Sequence, residues 1–288
     1  MKREALVIAV LFLGAILFSS CAQEVPEEIE WASSLDDALK SAKEKDRHII
    51  ADFYSEKCPW CDRLEDSTFT SKDVIALSKD MIFVKAEGKK DTVIRDQYEI
   101  AGFPTVILMK GSGEEVDRIY GYLPPKEFVS TIRNYLEGKE TLEDIKNRFQ
   151  ADSTDVELAF KLADKYEARR KYDEAFYYYQ KVVDLDPEDE KGKSQDALFN
   201  IAWLEIRKKD YPEAVDAFKN FLEKYPESKM AQDAEIYIPY AYAQAGDTAK
   251  ALELYQKFLI DHPDSKDTSW VREKIKELKE GPTDESTD

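Results

Sequence analysis

Two cysteines, Cys58 and Cys61, enclose Pro59 and Trp60 and follow an apolar stretch that is typical of a buried strand. Proline is favoured at the first position of a helix, so we expect a helix to begin at Pro59 with Cys58 as its cap. A sulfur at a helix start faces unpaired N–H groups and the positive end of the helix dipole, which favour the thiolate that attacks disulfides. The pattern therefore predicts a redox pair in which Cys58 is the nucleophile and Cys61 the resolving thiol.

The residues around this pair resemble the thioredoxin superfamily. Asp52 stands six residues before Cys58, and the later stretch YEIAGFPTVILM contains Phe103, Pro104 and Thr105. The resemblance implies an α/β thioredoxin-like fold, a buried Asp52 that accepts the proton of Cys61, and a cis Pro104 in a loop that faces the disulfide. It also implies substrate contacts by Phe103, Pro104 and Thr105 of this loop. Trp60, which lies between the cysteines, is expected to dock apolar substrate segments, because exposed aromatic side chains anchor interfaces.

The flanking segments IEWASSLDDALKSAKEKDRHIIADFY and DRLEDSTFTSKDV are most similar to the exported, disulfide-reductase-like branch of this superfamily. That branch implies reduction of protein disulfides, whereas oxidation or isomerisation differs from it in redox potential. The chain departs from thioredoxin in two ways, with Pro-Trp in place of Gly-Pro and Lys57 in place of the preceding tryptophan. The alternatives to redox chemistry are a static disulfide at the pair and, for Trp60, packing under a loop.

Composition excludes several functions. The chain has 60 acidic and 42 basic side chains and a formal charge of −18, which repels nucleic acid and anionic membrane surfaces. A structural zinc site needs four ligands, and His48 and His262 are the two histidines of the sequence. We therefore expect no metal site. No cofactor is expected either.

The first residues predict an export signal. Lys2 and Arg3 precede an apolar run over 5–18, which is short for a membrane span, and Ser19, Ser20 and Cys21 follow. Small residues before a cysteine resemble a bacterial lipoprotein signal, which implies lipidation of Cys21 and a periplasmic or cell-envelope location. Ordinary signal cleavage near Ala22 is the alternative. The sequence predicts a signal peptide over 1–21 and a tether over 22–30.

The expected α/β domain spans 31–140, with alternating strands and helices. Ser34 and Asp37 form a capping-box signature at the start of its first helix. The expected later elements are strands over 48–54, 81–86 and 116–120 and helices over 91–98 and 125–136. A linker is expected over 141–152.

The rest of the chain contains a repeated residue pattern. Alanines 175, 214 and 251 are each followed after four residues by an aromatic residue and after twelve by a proline. Such offsets resemble tetratricopeptide (TPR) repeats, in which small residues let two helices cross closely. The sequence therefore predicts an all-α TPR solenoid over 153–280, with three repeats and a capping helix, and a disordered acidic tail over 281–288.

Together these features predict an exported, lipid-anchored thiol-disulfide oxidoreductase whose repeats bind a partner or the substrate. Such a protein acts on a protein disulfide and needs a separate redox protein as electron donor or acceptor. The alternative is a membrane-anchored scaffold in which the repeats act and the thioredoxin-like domain is a non-catalytic adaptor.

Overall fold

The structure is a computed structural model that describes residues 27–88, 90 and 92–280. The expected signal peptide over 1–21, with the expected lipidation site Cys21, lies outside the described residues, as do most of the tether and the acidic tail over 281–288. Within the described part of the chain, no helix is long and apolar enough to cross a membrane.

The first domain is built on a five-stranded sheet formed by the described residues, in the order β1-β3-β2-β4-β5. Its strands are β1 (Trp31–Ala32), β2 (His48–Tyr54), β3 (Met81–Glu87), β4 (Thr105–Met109) and β5 (Glu115–Tyr120). β2 pairs with β3 in parallel and with β4 antiparallel, so it lies in the centre. This confirms the expected thioredoxin-like α/β architecture.

Helices cover both faces of the sheet. They are α1 (Leu35–Lys45), α2 (Pro59–Arg63), α3 (Lys72–Ile75), α4 (Thr92–Gln97) and α5 (Pro125–Leu136), with a π-helical turn (Leu64–Thr68) and a 3₁₀ turn (Ala76–Lys79). Successive residues of a strand point to opposite faces, so Ile49 of β2 packs with the face covered by α1. Ile50 packs on the other face, against Leu64 and Phe128. The active-site helix, meaning α2 with the π-helical turn that continues it, therefore covers the face that Ile50 occupies, together with α5.

The second part of the chain is all helical. The helices are α6 (Leu142–Ala151), α7 (Val156–Glu167), α8 (Tyr172–Leu185), α9 (Ser194–Lys208), α10 (Tyr211–Lys224), α11 (Ala231–Gln244), α12 (Thr248–Asp261) and α13 (Thr268–Glu280). Ala163, Ala175, Ala202 and Ala214 are fully buried, as small residues at close helix crossings require. From α7 to α12 the helices form three antiparallel pairs within the described residues, and α13 closes the stack. The TPR solenoid expected from the sequence is confirmed.

The structure differs from the expected linker over 141–152. Thr141 caps α6 by accepting a hydrogen bond from the Asp144 N–H at 3.2 Å, and Ile145 and Phe149 of α6 are buried. These two side chains join the apolar core of α7 and α8. The segment is therefore a helix of the second domain rather than a flexible connection.

A buried ion-pair cluster joins the two domains. Asp117 of β5 is fully buried and accepts hydrogen bonds from Arg169 at 2.7 Å and from Lys165 at 2.9 Å. Arg118 donates to the Ala168 carbonyl oxygen at 2.9 Å. Because these groups are paired across the boundary, separating the domains would break these ion pairs and hydrogen bonds and expose the boundary to water.

Candidate active site

Cys58 and Cys61 form a disulfide at the start of α2, with their Cα atoms 5.2 Å apart. Pro59 occupies the first turn of α2 and Cys58 is its N-cap, as the sequence predicts. Cys58 Sγ accepts a hydrogen bond from the Cys61 N–H at 3.2 Å. Cys61 is 8% exposed, whereas Cys58 is more accessible. The arrangement exposes one sulfur to attack and protects the other.

Asp52 lies on β2, on the face of the sheet that the active-site helix covers. Its residue is 4% exposed, and its Oδ1 atom has no hydrogen-bond partner among the described residues. Burial raises the pKa of Asp52 to about 7, because desolvation disfavours the carboxylate. A carboxyl group with this pKa exchanges protons near neutral pH, which a general base for a thiol requires.

Two charged residues that the sequence did not assign to the site, Lys85 and Glu65, change the pKa of Asp52. Lys85 lies directly opposite Asp52 in the β2–β3 register, and its positive charge lowers the pKa of Asp52. The Lys85 ammonium also pairs with Glu65, whose charge raises the pKa of Asp52. Strand alternation was the available signal, because it places Lys85 on the same face as Phe83 in the core.

The loop before β4 faces the disulfide. The Phe103–Pro104 peptide bond is cis, and the Phe103 carbonyl oxygen lies 3.8 Å from Cys58 Sγ. Pro104 is buried and Phe103 is half-buried. The loop is held from within the domain, since the Gly121 N–H donates to the Pro104 carbonyl oxygen at 2.9 Å.

Thr105, also expected at the substrate site, lies at the start of β4. It is fully buried, and its hydroxyl donates to the Gly102 carbonyl oxygen at 2.7 Å. This hydrogen bond stabilises the loop.

Trp60 is 55% exposed beside the disulfide. Its ring stacks on that of Tyr122, with centroids 6.1 Å apart, and the Arg63 guanidinium lies 4.6 Å from the Tyr122 centroid and 5.5 Å from that of Trp60. Such cation–π contacts orient exposed aromatic rings. Tyr122 and Arg63 thus extend the exposed surface at Trp60.

The described residues contain no group of three or more His, Cys, Asp or Glu side chains arranged to hold a metal ion. His262, on the second domain, has its Nε2 atom 2.6 Å from Glu235 Oε2. The groups that the site brings together are the two sulfurs, the Asp52 carboxyl group and its charged neighbours.

Fold and site together define a thioredoxin-like domain with a CXXC disulfide, followed by tetratricopeptide-like helical repeats. A family profile described as a thioredoxin-like domain matches residues 35–136. The thioredoxin of Mycoplasmoides gallisepticum is 30% identical over 97 residues, which cover 34% of this chain and 90% of that protein. The chain belongs to the thioredoxin-like family through this domain.

Other comparisons cover parts of the chain. The thiol:disulfide interchange protein DsbD of Ralstonia nicotianae is 26% identical over 112 residues, 37% of this chain. The match spans 18% of that relative's length. A profile described as an outer membrane lipoprotein matches residues 191–272. The crystal structure of MamA is similar with a TM-score of 0.41 and 21% identity, and the match covers 57% of this chain and 86% of the MamA chain.

Proposed function

We propose that this chain is an exported thiol-disulfide oxidoreductase that reduces protein disulfides through Cys58 and Cys61, while its helical repeats bind a partner or the substrate protein. The observation that carries this proposal is the setting of the disulfide. An accessible Cys58 caps a helix and faces the Phe103 carbonyl, and the buried Asp52 lies on the sheet face under the same helix. A purely structural disulfide needs neither an accessible sulfur nor a buried titrating carboxyl group.

In the reduced enzyme, the Cys58 thiolate attacks one sulfur of the substrate disulfide. A Cys58–substrate bond forms, the substrate S–S bond breaks, and the first substrate thiolate leaves with a proton from solvent. Asp52 then accepts the Cys61 proton, and the Cys61 thiolate attacks Cys58 Sγ. The Cys58–substrate bond breaks as the Cys58–Cys61 disulfide forms. The second substrate sulfur leaves as a thiolate and takes a proton from solvent, so the substrate has gained two electrons and two protons.

The cycle needs an external dithiol that reduces the Cys58–Cys61 disulfide again. A separate redox protein is the natural donor, since the chemistry requires no cofactor on this chain. The name of the Ralstonia relative, a thiol:disulfide interchange protein, agrees with exchange as the reaction. The reductive direction rests on the resemblance of the segments flanking the cysteines to the disulfide-reductase-like branch.

An envelope location with a lipid at Cys21 completes the proposal. The apolar run over 5–18 and the small residues before Cys21 support it. The outer membrane lipoprotein profile over 191–272 agrees with that location. Protein disulfides persist outside the reducing cytosol, so substrates are available there.

Trapping of the covalent intermediate tests the proposal. Cys61→Ser keeps the nucleophile and removes the resolving thiol, so it should accumulate mixed disulfides with an oxidised protein substrate such as insulin. Cys58→Ser is the matched control, because it removes one sulfur and keeps the buried one. We expect reducible adducts with Cys61→Ser and none with Cys58→Ser. Equal adduct levels in both variants, or none in either, would contradict the assignment of Cys58 as nucleophile.

A further inference from the structure

An arginine of the helical domain reaches the loop that faces the disulfide. Arg207 lies at the end of α9, and its Nη1 donates to the Ala101 carbonyl oxygen at 3.0 Å. Its Nη2 donates to the Tyr120 hydroxyl at 3.3 Å. One planar guanidinium thus contacts two separate segments of the thioredoxin-like domain, a geometry for which arginine is suited.

Both acceptors flank Gly102. Ala101 precedes it in the chain, and a Cβ atom placed on Gly102 would lie 2.6 Å from the Tyr120 hydroxyl oxygen. The loop and Tyr120 are therefore in direct contact. Arg207 holds them together from outside the domain.

Each carbonyl group of this loop has a defined neighbour. The Gly102 carbonyl accepts from the Thr105 hydroxyl, and the Pro104 carbonyl accepts from the Gly121 N–H. The Ala101 carbonyl accepts from Arg207, and the Phe103 carbonyl is the one that faces Cys58 Sγ. Among these restraints, Arg207 is the one supplied by the helical repeats.

Arg207 is itself positioned by aromatic side chains. Its guanidinium carbon lies 5.5 Å from the centre of the Trp203 ring, one helical turn earlier on α9. Trp203 in turn packs on Tyr237 of α11, with ring centroids 4.8 Å apart. These contacts restrict the rotamers of a long side chain, which lowers the entropy cost of holding the loop.

We propose that Arg207 is a positioning residue of the redox site, which holds the loop over 101–104 in the geometry that presents its backbone to a bound protein disulfide. This inference rests on the proposed function and deepens it. The helical domain, besides binding a partner, is then structurally part of the substrate site at Cys58. Substrates that need the loop lose affinity when Arg207 is removed, while the Cys58–Cys61 bond keeps its redox potential.

The test compares Arg207→Gln, Arg207→Lys and the control Arg170→Gln in the full chain. Arg170 also crosses the domain boundary, and its Nη1 atom lies 3.0 Å from Asp96 of α4 rather than at a carbonyl oxygen of the loop. With insulin as the disulfide substrate, we expect Arg207→Gln to lower kcat/KM roughly tenfold, mainly by raising KM, because a charged hydrogen bond to the loop is lost. Arg207→Lys should recover part of this loss, and Arg170→Gln should match the wild type.

Three further measurements separate positioning from domain docking. The midpoint potential of Cys58–Cys61 should be the same in all four proteins. Hydrogen–deuterium exchange of peptides covering the loop should be faster in Arg207→Gln than in Arg170→Gln, whether or not insulin is a substrate. The increase in loop exchange caused by Tyr120→Phe and Arg207→Gln together should be smaller than the sum of the two single increases, since both changes remove the same restraint.

Either of two results would overturn the inference about Arg207. Unchanged loop exchange in Arg207→Gln would show that the guanidinium does not hold the loop. Equal losses of kcat/KM in Arg207→Gln and Arg170→Gln would assign the effect to domain docking. A wild-type protein that leaves insulin oxidised would count against the proposed function, and the exchange experiment would still decide the role of Arg207.

Discussion

Asp52 and Lys85 lie directly opposite each other in the parallel β2–β3 pair, yet the Lys85 ammonium forms its ion pair with Glu65. Asp52 is therefore a buried carboxyl group, and the lysine opposite it is paired with a second acid. Burial dominates, and the pKa of Asp52 is raised to about 7. The consequences of this relationship are measurable in stability and in the titration of the site.

The first prediction concerns stability and pH. The pKa of Asp52 is higher in the folded protein, about 7, than its ordinary value of 3.8. Its contribution to stability is therefore complete below about pH 3.8 and is lost as pH rises through 7. Asp52→Asn carries no charge, so at pH 8 it should be more stable than the oxidised wild type by on the order of 2–4 kcal/mol.

Urea denaturation of both oxidised proteins between pH 4 and pH 8 checks this prediction. The two stability curves should converge near pH 4 and separate as pH rises. Parallel curves over the whole range would mean that Asp52 titrates normally in the folded state.

The second prediction concerns the neighbours of Asp52. Glu65→Gln removes a negative charge and leaves Lys85 to interact with Asp52, so the pKa of Asp52 should fall. Lys85→Gln removes the positive charge, so that pKa should rise. The measurement is a ¹³C NMR titration of the Asp52 carboxyl carbon.

Glu56→Gln is the matched control for this titration. Glu56 also pairs with a lysine, Lys90, but both side chains are largely exposed. Removal of that pair should leave the Asp52 titration unchanged. Shifts of the same sign in Glu65→Gln and Lys85→Gln would contradict the account.

How far the sequence predicts this protein depends on how local each signal is. Pro59 and Cys58 predict the start of α2, and Ser34 predicts the start of α1, because caps are set by neighbouring residues. The bounds of β2 and α5 agree with those expected from the sequence, because local residue patterns determine them as well. The repeat offsets predict the paired helices of the second domain, since each buried alanine recurs at a fixed position.

Features that depend on tertiary packing were missed. Helix α6 has two buried apolar side chains, Ile145 and Phe149, in a segment rich in charged residues. Such a sequence is typical of a linker, and the burial of the two side chains depends on their packing with α7. The burial of Thr105 and the contact of Arg207 with Ala101 arise from chain segments far apart in sequence. No periodicity reports such contacts.

The third prediction concerns the domain boundary. Asp117→Asn should destabilise the protein by about 3–5 kcal/mol, because Lys165 and Arg169 would remain buried without a full counter-charge. Burial raises the pKa of Asp117, but Lys165 and Arg169 outweigh it, and the pKa is lowered below 3.8. The contribution of Asp117 is therefore present above about pH 3.8 and is lost as pH falls through its folded pKa.

Thermal unfolding and limited proteolysis test this boundary. Asp117→Asn should unfold in two steps, one for each domain, and should be cut between β5 and α7 more readily than the wild type. Asp96→Asn is the control, since its pair with Arg170 is exposed and should change stability by less than about 1 kcal/mol. Similar behaviour of the two variants would argue against the buried cluster as the link.

The fourth prediction concerns Trp60. If its exposed ring docks substrate segments, Trp60→Ala should raise KM for insulin several-fold, because exposed aromatic side chains are frequent anchors of interfaces. The thermal stability should change little, since the ring is 55% exposed. Tyr177→Ala is a matched control on α8, with 54% exposure. An unchanged KM in Trp60→Ala would assign the ring to packing on Tyr122.

The most direct test of the central claim is an equilibrium redox titration of the full chain in defined thiol buffers, with free Cys58 and Cys61 trapped by an alkylating reagent. The account predicts a reversible two-electron transition at about −230 mV or below, as expected for a reductase that awaits an electron donor. A reversible transition at about −120 to −180 mV would contradict the reductive direction and indicate oxidation or isomerisation. If no reversible transition occurs, the disulfide is structural, and the helical repeats become the functional part of the protein.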